Sequence, residues 1–255
     1  MKRIEYIIQN RDVEGALLVK ISSLIKLMTS HLSVYLFDLA SLLRSSLYSD
    51  ILGRPWPFTM SSKLSRAIKF VADKPQNLAH RQFVDRLVRV DQAGELAADY
   101  IYWGQYLAFR KQPELEPLIK HMWEQEIHHH KTFDSLQIDG RVRPSLFTPL
   151  WKVMSFALGY GTALRGKEAA MACTEAVETV IGGHYNSQLR YLHENLPKSE
   201  NSDALKQIVS QFRDDELEHL DTAVEHDAHG AKPYWLLTET IKQGCRVAIG
   251  VAERV

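Results

Sequence analysis

The sequence predicts an all-α protein: a four-helix bundle with an apolar crossover helix and an extra helix near the C-terminal end. Three observations lead there. Strand signals are nearly absent, while long stretches carry apolar residues at helical spacing. Twice, and only twice, a glutamate is followed three residues later by a histidine, in Glu126-Ile127-His128-His129 and Glu216-Leu217-Glu218-His219. One helix before each pair stands a glutamate on an otherwise apolar face, Glu95 for the first and Glu178 for the second. A single Glu-x-x-His is uninformative, since roughly one is expected by chance in a chain of this size. A duplicated one with matched partners is specific.

The elements follow in order. Residues 1–79 read as an N-terminal extension, rich in Leu and Ser and ending in Lys74-Pro75-Gln76-Asn77. A first bundle helix is expected over His80–Arg110, closed by Lys111-Gln112-Pro113. The second covers Glu114–Gln137 and stops at Asp139-Gly140. An apolar segment at 145–164 follows, then a third long helix over Lys167–Leu196, broken by Pro197. The fourth spans Ser202–Ala228, ended by Gly230 and Pro233, and a last helix covers Trp235–Glu253. Depth arithmetic pairs them as hairpins. Glu95 and Glu126 each lie about 13–16 residues from their shared loop, some 20–24 Å along the helices at about 1.5 Å per residue. Glu178 and Glu216 lie at nearly the same depth around the loop at 197–201. The chain is thus a degenerate repeat of two helix pairs. Segment 141–166 is long enough for the single crossover that a ferritin-like bundle requires.

Composition narrows the function. At 255 residues the chain can bury a large core, and Lys plus Arg equals Asp plus Glu at 31 each, so no global charge draws it to nucleic acid. Its two cysteines, Cys173 and Cys245, stand 72 positions apart without a CxxC pattern and read as core thiols in a reducing compartment. Two apolar stretches, Leu27–Phe37 and Leu146–Leu164, fall short of a bilayer span of about 20 residues or carry a charge. From Met28 to Ala72 the only acids are Asp38 and Asp50, a bias that suits organelle targeting, although Glu5, Asp12 and Glu14 run against it. The alternative is a helical extension.

The glutamates and histidines carry the chemistry. Glu95 shares its face with Val84, Val88, Asp91, Ala98, Tyr102 and Tyr106, and so points inward. Glu126 and His129 align with Ile119, Met122 and Phe133, Glu178 with Met171, Ile181 and Tyr185, and Glu216 with Ile208, Val209 and Phe212. Two lone glutamates plus two Glu-x-x-His pairs form the ligand set of a di-iron or di-manganese carboxylate site. Four carboxylates converging in a core are unsustainable alone, whereas two divalent ions cancel their charge. Oxygen-rich, nitrogen-poor ligation suits iron or manganese better than zinc or copper. On spacing alone Glu175 competes with Glu178. Asp91 fits either a group that orients a ligating histidine or an ordinary surface or capping residue. Tyr102, Tyr106, His184 and Tyr185 fit either relays near the metals or plain core packing.

With these residues in view, the chain resembles the demethoxyubiquinone hydroxylase family. The resemblance is carried by Asp85-Arg86-Leu87-Val88-Arg89-Val90-Asp91-Gln92-Ala93-Gly94-Glu95, by Met122 through His129, and by Arg141-Val142-Arg143-Pro144. It continues in Gly161 through Leu164, Gly166-Lys167-Glu168, His184-Tyr185-Asn186, Phe212 through His219, and Gly244 through Ile249. Together these span residues 80–255, taken as the catalytic domain. The resemblance implies metal ligands at Glu95, Glu126, His129, Glu178, Glu216 and His219, and selects Glu178 over Glu175. Gln92 departs from the histidine the family commonly has there, at a position that is not a ligand.

The resemblance further implies a di-iron monooxygenase that hydroxylates a demethoxylated polyprenyl benzoquinol in ubiquinone biosynthesis, using O2 and a reduced nicotinamide electron source. No Gly-x-Gly-x-x-Gly loop is present, so a nicotinamide binds superficially or a separate reductase intervenes. The implied location is the matrix side of the mitochondrial inner membrane, among other quinone-biosynthesis proteins. Residues 146–164 are expected to lie on the membrane surface as a peripheral helix, with Leu150, Trp151, Phe156 and Leu158 inserted. A buried crossover helix is the other reading of that segment. The competing function is a non-enzymatic iron-binding scaffold of a quinone-biosynthetic complex.

Overall fold

The computed structural model describes residues 61–255, and every regular element among them is helical. In chain order these are α1 (Ser62–Asp73), α2 (Leu78–Phe109), α3 (Glu116–Asp139), α4 (Thr148–Ala163), α5 (Lys167–Asn195), α6 (Glu200–Glu225), a short 3-10 turn at Ala228–Gly230, and α7 (Tyr234–Ala252). The two long hairpins α2–α3 and α5–α6 form the bundle, and α4 is the crossover between them. The expected helices are present within a few residues of their expected bounds.

Local chemistry sets where the helices begin. The Asn77 side chain accepts from the backbone amides of Ala79 and His80 at 2.8 and 3.3 Å, starting α2. Ser199 and Ser202 cap the start of α6 reciprocally, each hydroxyl accepting from the other's backbone N–H at 3.1 Å. Gly166, at φ 120°, occupies the left-handed conformation that lets α5 leave the end of α4 sharply.

The crossover helix lies directly on the first hairpin, and two glycines allow it. A Cβ on Gly104 of α2 would sit 2.6 Å from the Tyr160 backbone nitrogen, and one on Gly159 of α4 would collide with the Ile101 carbonyl. The two backbones therefore touch where α4 crosses α2. The crossing bears on the four residues expected to insert, each of which is half-buried. Leu150, Trp151 and Leu158 turn toward a cavity against α2, and Phe156 packs on Trp103 with ring centroids 4.7 Å apart. The exposed large apolar residues of this segment are Leu146, Phe147, Val153, Met154, Tyr160 and Leu164, of which Met154 also borders the cavity.

Helix α1 lies inside the segment 1–79, yet it is packed. Leu64, Ala67 and Val71 are buried in the same apolar cluster as Phe133, Leu136, Leu192, Leu205 and Phe212 of the bundle. Its contacts are with α3 and α6. The compact unit that holds the bundle thus reaches upstream of the boundary at residue 80. The acid-poor stretch before it, with the targeting reading placed on it, lies outside the described residues.

Candidate metal centre

Glu95 comes from α2, Glu126 and His129 from α3, Glu178 from α5, and Glu216 and His219 from α6. Each is almost fully buried. Their ligand atoms gather in two groups, Glu95–Glu126–His129–Glu216 and Glu126–Glu178–Glu216–His219, each with its atoms within 4.8 Å of one another. Glu126 and Glu216 belong to both. Glu216 directs Oε1 to His129 Nδ1 and Oε2 to His219 Nδ1, both at 3.2 Å. Glu126 sits the same way, Oε1 lying 3.0 Å from His219 Nδ1 and Oε2 4.0 Å from His129 Nδ1. Each shared carboxylate therefore offers one oxygen to each half of the site. The Glu-x-x-His spacing produces this because side chains three apart stack on one helix face.

The outer edges of the ligands are held across the hairpins. His129 Nε2 lies 3.0 Å from Asp215 Oδ2 on α6, and His219 Nε2 lies 3.0 Å from Gln125 Oε1 on α3. With Nε2 donating to these oxygens, Nδ1 of each ring faces the carboxylates, and its proton is the one that a metal ion would displace. The terminal glutamates are crossed as well. Tyr185 of α5 donates its hydroxyl to Glu95 of α2, while Tyr102 of α2 donates to Glu178 of α5 at 3.2 Å.

The electrostatics are those of a negatively charged box. Burial first, and then the neighbouring carboxylates, push Glu126 and Glu178 well above the usual carboxylate range. Burial likewise raises Glu95. Burial opposes Glu216 too, but hydrogen bonds from His129 and His219 outweigh it and hold this group below its ordinary value. Burial pulls both imidazoles down, yet their carboxylate partners raise them on balance. Tyr102 and Tyr185 are held well above the usual phenol value by burial, then by Glu178 and Glu95 respectively, and remain donors. Glu95 Oε2 and both oxygens of Glu126 are buried with no basic group near them but the ring nitrogens of His129 and His219. Oxygens left so are costly unless a cation faces them. Four carboxylates and two imidazoles around such orphaned oxygens fit a pair of hard divalent ions.

Other expected residues are placed elsewhere. Glu175 accepts from the Tyr234 hydroxyl at 2.5 Å and lies 3.4 Å from His229, outside both groups. Asp91 is buried, so the surface or capping reading fails, and it orients no ligating histidine. It accepts from Gln188 at 2.7 Å and lies 3.6 Å from His184. Tyr106 packs on Trp123 at 5.2 Å between centroids, so of the four relay candidates only Tyr102 and Tyr185 reach a carboxylate of the two groups. Gln92 donates to Asp134 at 2.8 Å and takes no part. Sequence reasoning missed the roles of Asp215 and Gln125. A signal for them existed. Each directly precedes the glutamate of a Glu-x-x-His pair, and each tyrosine stands seven residues after its helix's lone glutamate, at Glu95/Tyr102 and Glu178/Tyr185.

Behind the centre lies an apolar cleft of about 470 Å³. Its floor is formed by α2 and α5 through Ala93, Gly94, Ala97, Val177 and Ile181, and its walls by α4 and α7 through Leu150, Leu158, Ile241 and Ala248. Gly94 and Val177 adjoin Glu95 and Glu178 in the chain, so the cleft backs directly onto the helix segments that carry the terminal carboxylates.

Comparison with known proteins adds a family. Residues 82–252 match the family described as Ubiquinone biosynthesis protein COQ7. The chain is 60% identical over 196 residues to 5-demethoxyubiquinone hydroxylase, mitochondrial, of Saccharomyces cerevisiae, covering 72% of this chain and 84% of that protein. It is 51% identical over 175 residues to NADPH-dependent 3-demethoxyubiquinone 3-hydroxylase, mitochondrial, of Mus musculus, covering 69% and 79%. To 3-demethoxyubiquinol 3-hydroxylase of Rhodospirillum rubrum it is 45% identical over 173 residues, covering 68% and 78%.

Proposed function

Since the chain belongs to the ubiquinone biosynthesis protein COQ7 family, we propose that it hydroxylates a demethoxylated polyprenyl benzoquinol at a di-iron centre held by Glu95, Glu126, His129, Glu178, Glu216 and His219. The observation that carries this reading is the pair of ligand groups sharing Glu126 and Glu216, each shared carboxylate offering one oxygen to either side. When bound, two irons would supply the activation of O2 and store the electrons it requires. The protein's own residues do the rest. The helix walls keep the carboxylates from bulk water, as their burial requires. Tyr102 and Tyr185 fix the terminal glutamates by hydrogen bonds. Asp215 and Gln125 fix the imidazole tautomers and so aim Nδ1 inward.

The apolar cleft is the binding surface proposed for the polyprenyl quinone. Its small residues at Ala93, Gly94 and Ala97 leave room beside Glu95 for a ring, and its aliphatic walls suit the start of an isoprenoid tail. No helix among the described residues is long and apolar enough to cross a membrane. The outward apolar residues of α4 and its flanks, with Trp235, Leu236 and Val247 of α7, support peripheral attachment to a lipid surface instead. The mouse relative's NADPH dependence supports a reduced nicotinamide as electron source. The yeast and mouse relatives are named mitochondrial, which supports a mitochondrial location, and within it our reading puts the chain on the inner membrane, facing the matrix.

Ferrous reconstitution of the full chain, followed by product analysis with a demethoxylated quinol, O2 and a reductant, tests the reading. Two irons per chain and a hydroxylated ring are expected. A metal-free or product-free outcome for the folded protein sinks it.

A further inference from the structure

The two halves of the centre have the same ligand types and different backing. On one side stand Glu95 and His129, on the other Glu178 and His219, with Glu126 and Glu216 common to both. The donor count is equal. What differs is the group behind each imidazole. The Nε2 proton of His129 goes to the carboxylate of Asp215 at 3.0 Å, and that of His219 goes to the neutral amide oxygen of Gln125 at the same distance. An anionic acceptor draws the Nε2 proton toward itself and raises the electron density at Nδ1, whereas an amide does so weakly. The rings are also held differently. His129 is stacked on Phe212 with centroids 3.9 Å apart and a 26° angle between planes. His219 meets only the edge of Tyr102, at 5.6 Å and 61°. A stacked ring with a charged anchor has less freedom to lose on ligation than an edge-packed ring with a neutral one.

We infer that the two metal positions are unequal: the position at Glu95 and His129 fills first and binds its ion more tightly, with Asp215 as the positioning residue that sets the difference. This rests on the di-metal reading of the site. The inequality is not written in the ligand set, which the duplicated motif makes symmetric. It comes from differences between the two copies, first among them Asp against Gln at the residue before each shared glutamate. It gives the centre a fixed order of assembly. One ion is retained while the other, backed by Gln125, exchanges.

The test titrates the metal-stripped full chain with Co(II) alone, following the visible absorption of the bound ion, with circular dichroism to verify folding of each variant. The wild type should take up two equivalents in two resolved phases. Asp215→Asn should weaken the first phase by about 10–100-fold, the usual cost of losing such an outer partner, and merge the two. Gln125→Glu should strengthen the second phase, a gain that a merely structural role would not produce. Glu178→Ala should keep the tight equivalent, and Glu95→Ala should lose it. Two equal equivalents in the wild type, an unchanged first phase in Asp215→Asn, or the tight ion surviving Glu95→Ala would each overturn the inference while leaving the di-metal reading intact. No Co(II) bound by the folded wild type would remove both.

Discussion

Helices α2 and α5 serve two regions of opposite chemistry from adjoining faces. The inner face presents Glu95, Tyr102, Glu178 and Tyr185 to a chamber of buried carboxylates. The adjoining face presents Gly94 and Val177, one residue from those glutamates, and Ala98 and Ile181, three residues on, to a cleft of aliphatic side chains. The chamber is held by hydrogen bonds that cross between hairpins. The cleft exists because its floor residues are small and because α4 and α7 stand apart as its walls. Successive side chains on a helix point about 100° apart, so one helix can carry a charged chamber and an apolar cleft side by side without an intervening layer. Groups on the two sides should therefore be separable by mutation.

The largest effect is expected inside the chamber. Glu216→Ala removes an oxygen from each histidine's reach at once, so metal content should fall in both positions and hydroxylation should drop to background. Iron analysis beside product analysis measures this. Full retention of iron and rate would remove the shared-carboxylate assignment.

A second expectation concerns protons. In the metal-free protein, burial raises Glu95, Glu126 and Glu178, and the carboxylate partners raise His129 and His219 against the effect of burial. Groups raised in this way hold their protons more tightly than ordinary carboxylates and imidazoles do, and a metal must expel the protons they carry. Apparent metal affinity should therefore fall as pH falls, by about tenfold per pH unit for each proton released. Calorimetry in buffers of different ionisation enthalpy counts those protons. A pH-independent affinity would contradict the electrostatics of the chamber.

The cleft should respond in the opposite sense. Ala97→Leu or Ala248→Leu fills it without touching a metal-binding oxygen. KM for a long-tailed quinol should rise about tenfold, equivalent to about 1.4 kcal/mol, while iron content is unchanged. If iron is lost with substrate binding, the two faces are coupled rather than separate.

The smallest effect belongs to the outer rim. Val153 and Leu236 are exposed apolar residues of α4 and α7, and aspartate at both should lower the fraction bound to anionic liposomes several-fold. Turnover on a short-tailed soluble quinol should persist. Binding left unchanged in flotation assays would mean that this rim is not the membrane face.

Much of the chamber is legible in the amino-acid sequence, because a ligand pair three residues apart on a helix is a local fact. Glu126 with His129 and Glu216 with His219 need only helical geometry to share a face. Asp215 and Gln125 are marked there only by their place before each Glu-x-x-His pair, and their partners are not, since each acts on a histidine about ninety residues away on the opposite hairpin. Asp91 shows the same limit. Its helical phase placed it near the centre, but its partners, Gln188 and His184, are on α5.

Periodicity, breakers and spacing were enough to set the helical class, the order and approximate bounds of the helices, the repeat of two hairpins, and five of the six residues able to meet in its middle, with Glu178 open against Glu175 until the family resemblance chose it. Those signals act over a few residues, so the chain carries them whatever packs against it. Which way α4 faces was decided only when the helices met, because the contact of Gly104 with the Tyr160 backbone sets that helix's rotation. The same holds for the place of α1 in the packed core, the diversion of Glu175 to Tyr234, and the cleft that opens between α4 and α7. Each of these depends on which surfaces meet, and that is fixed by close packing between elements far apart in the chain.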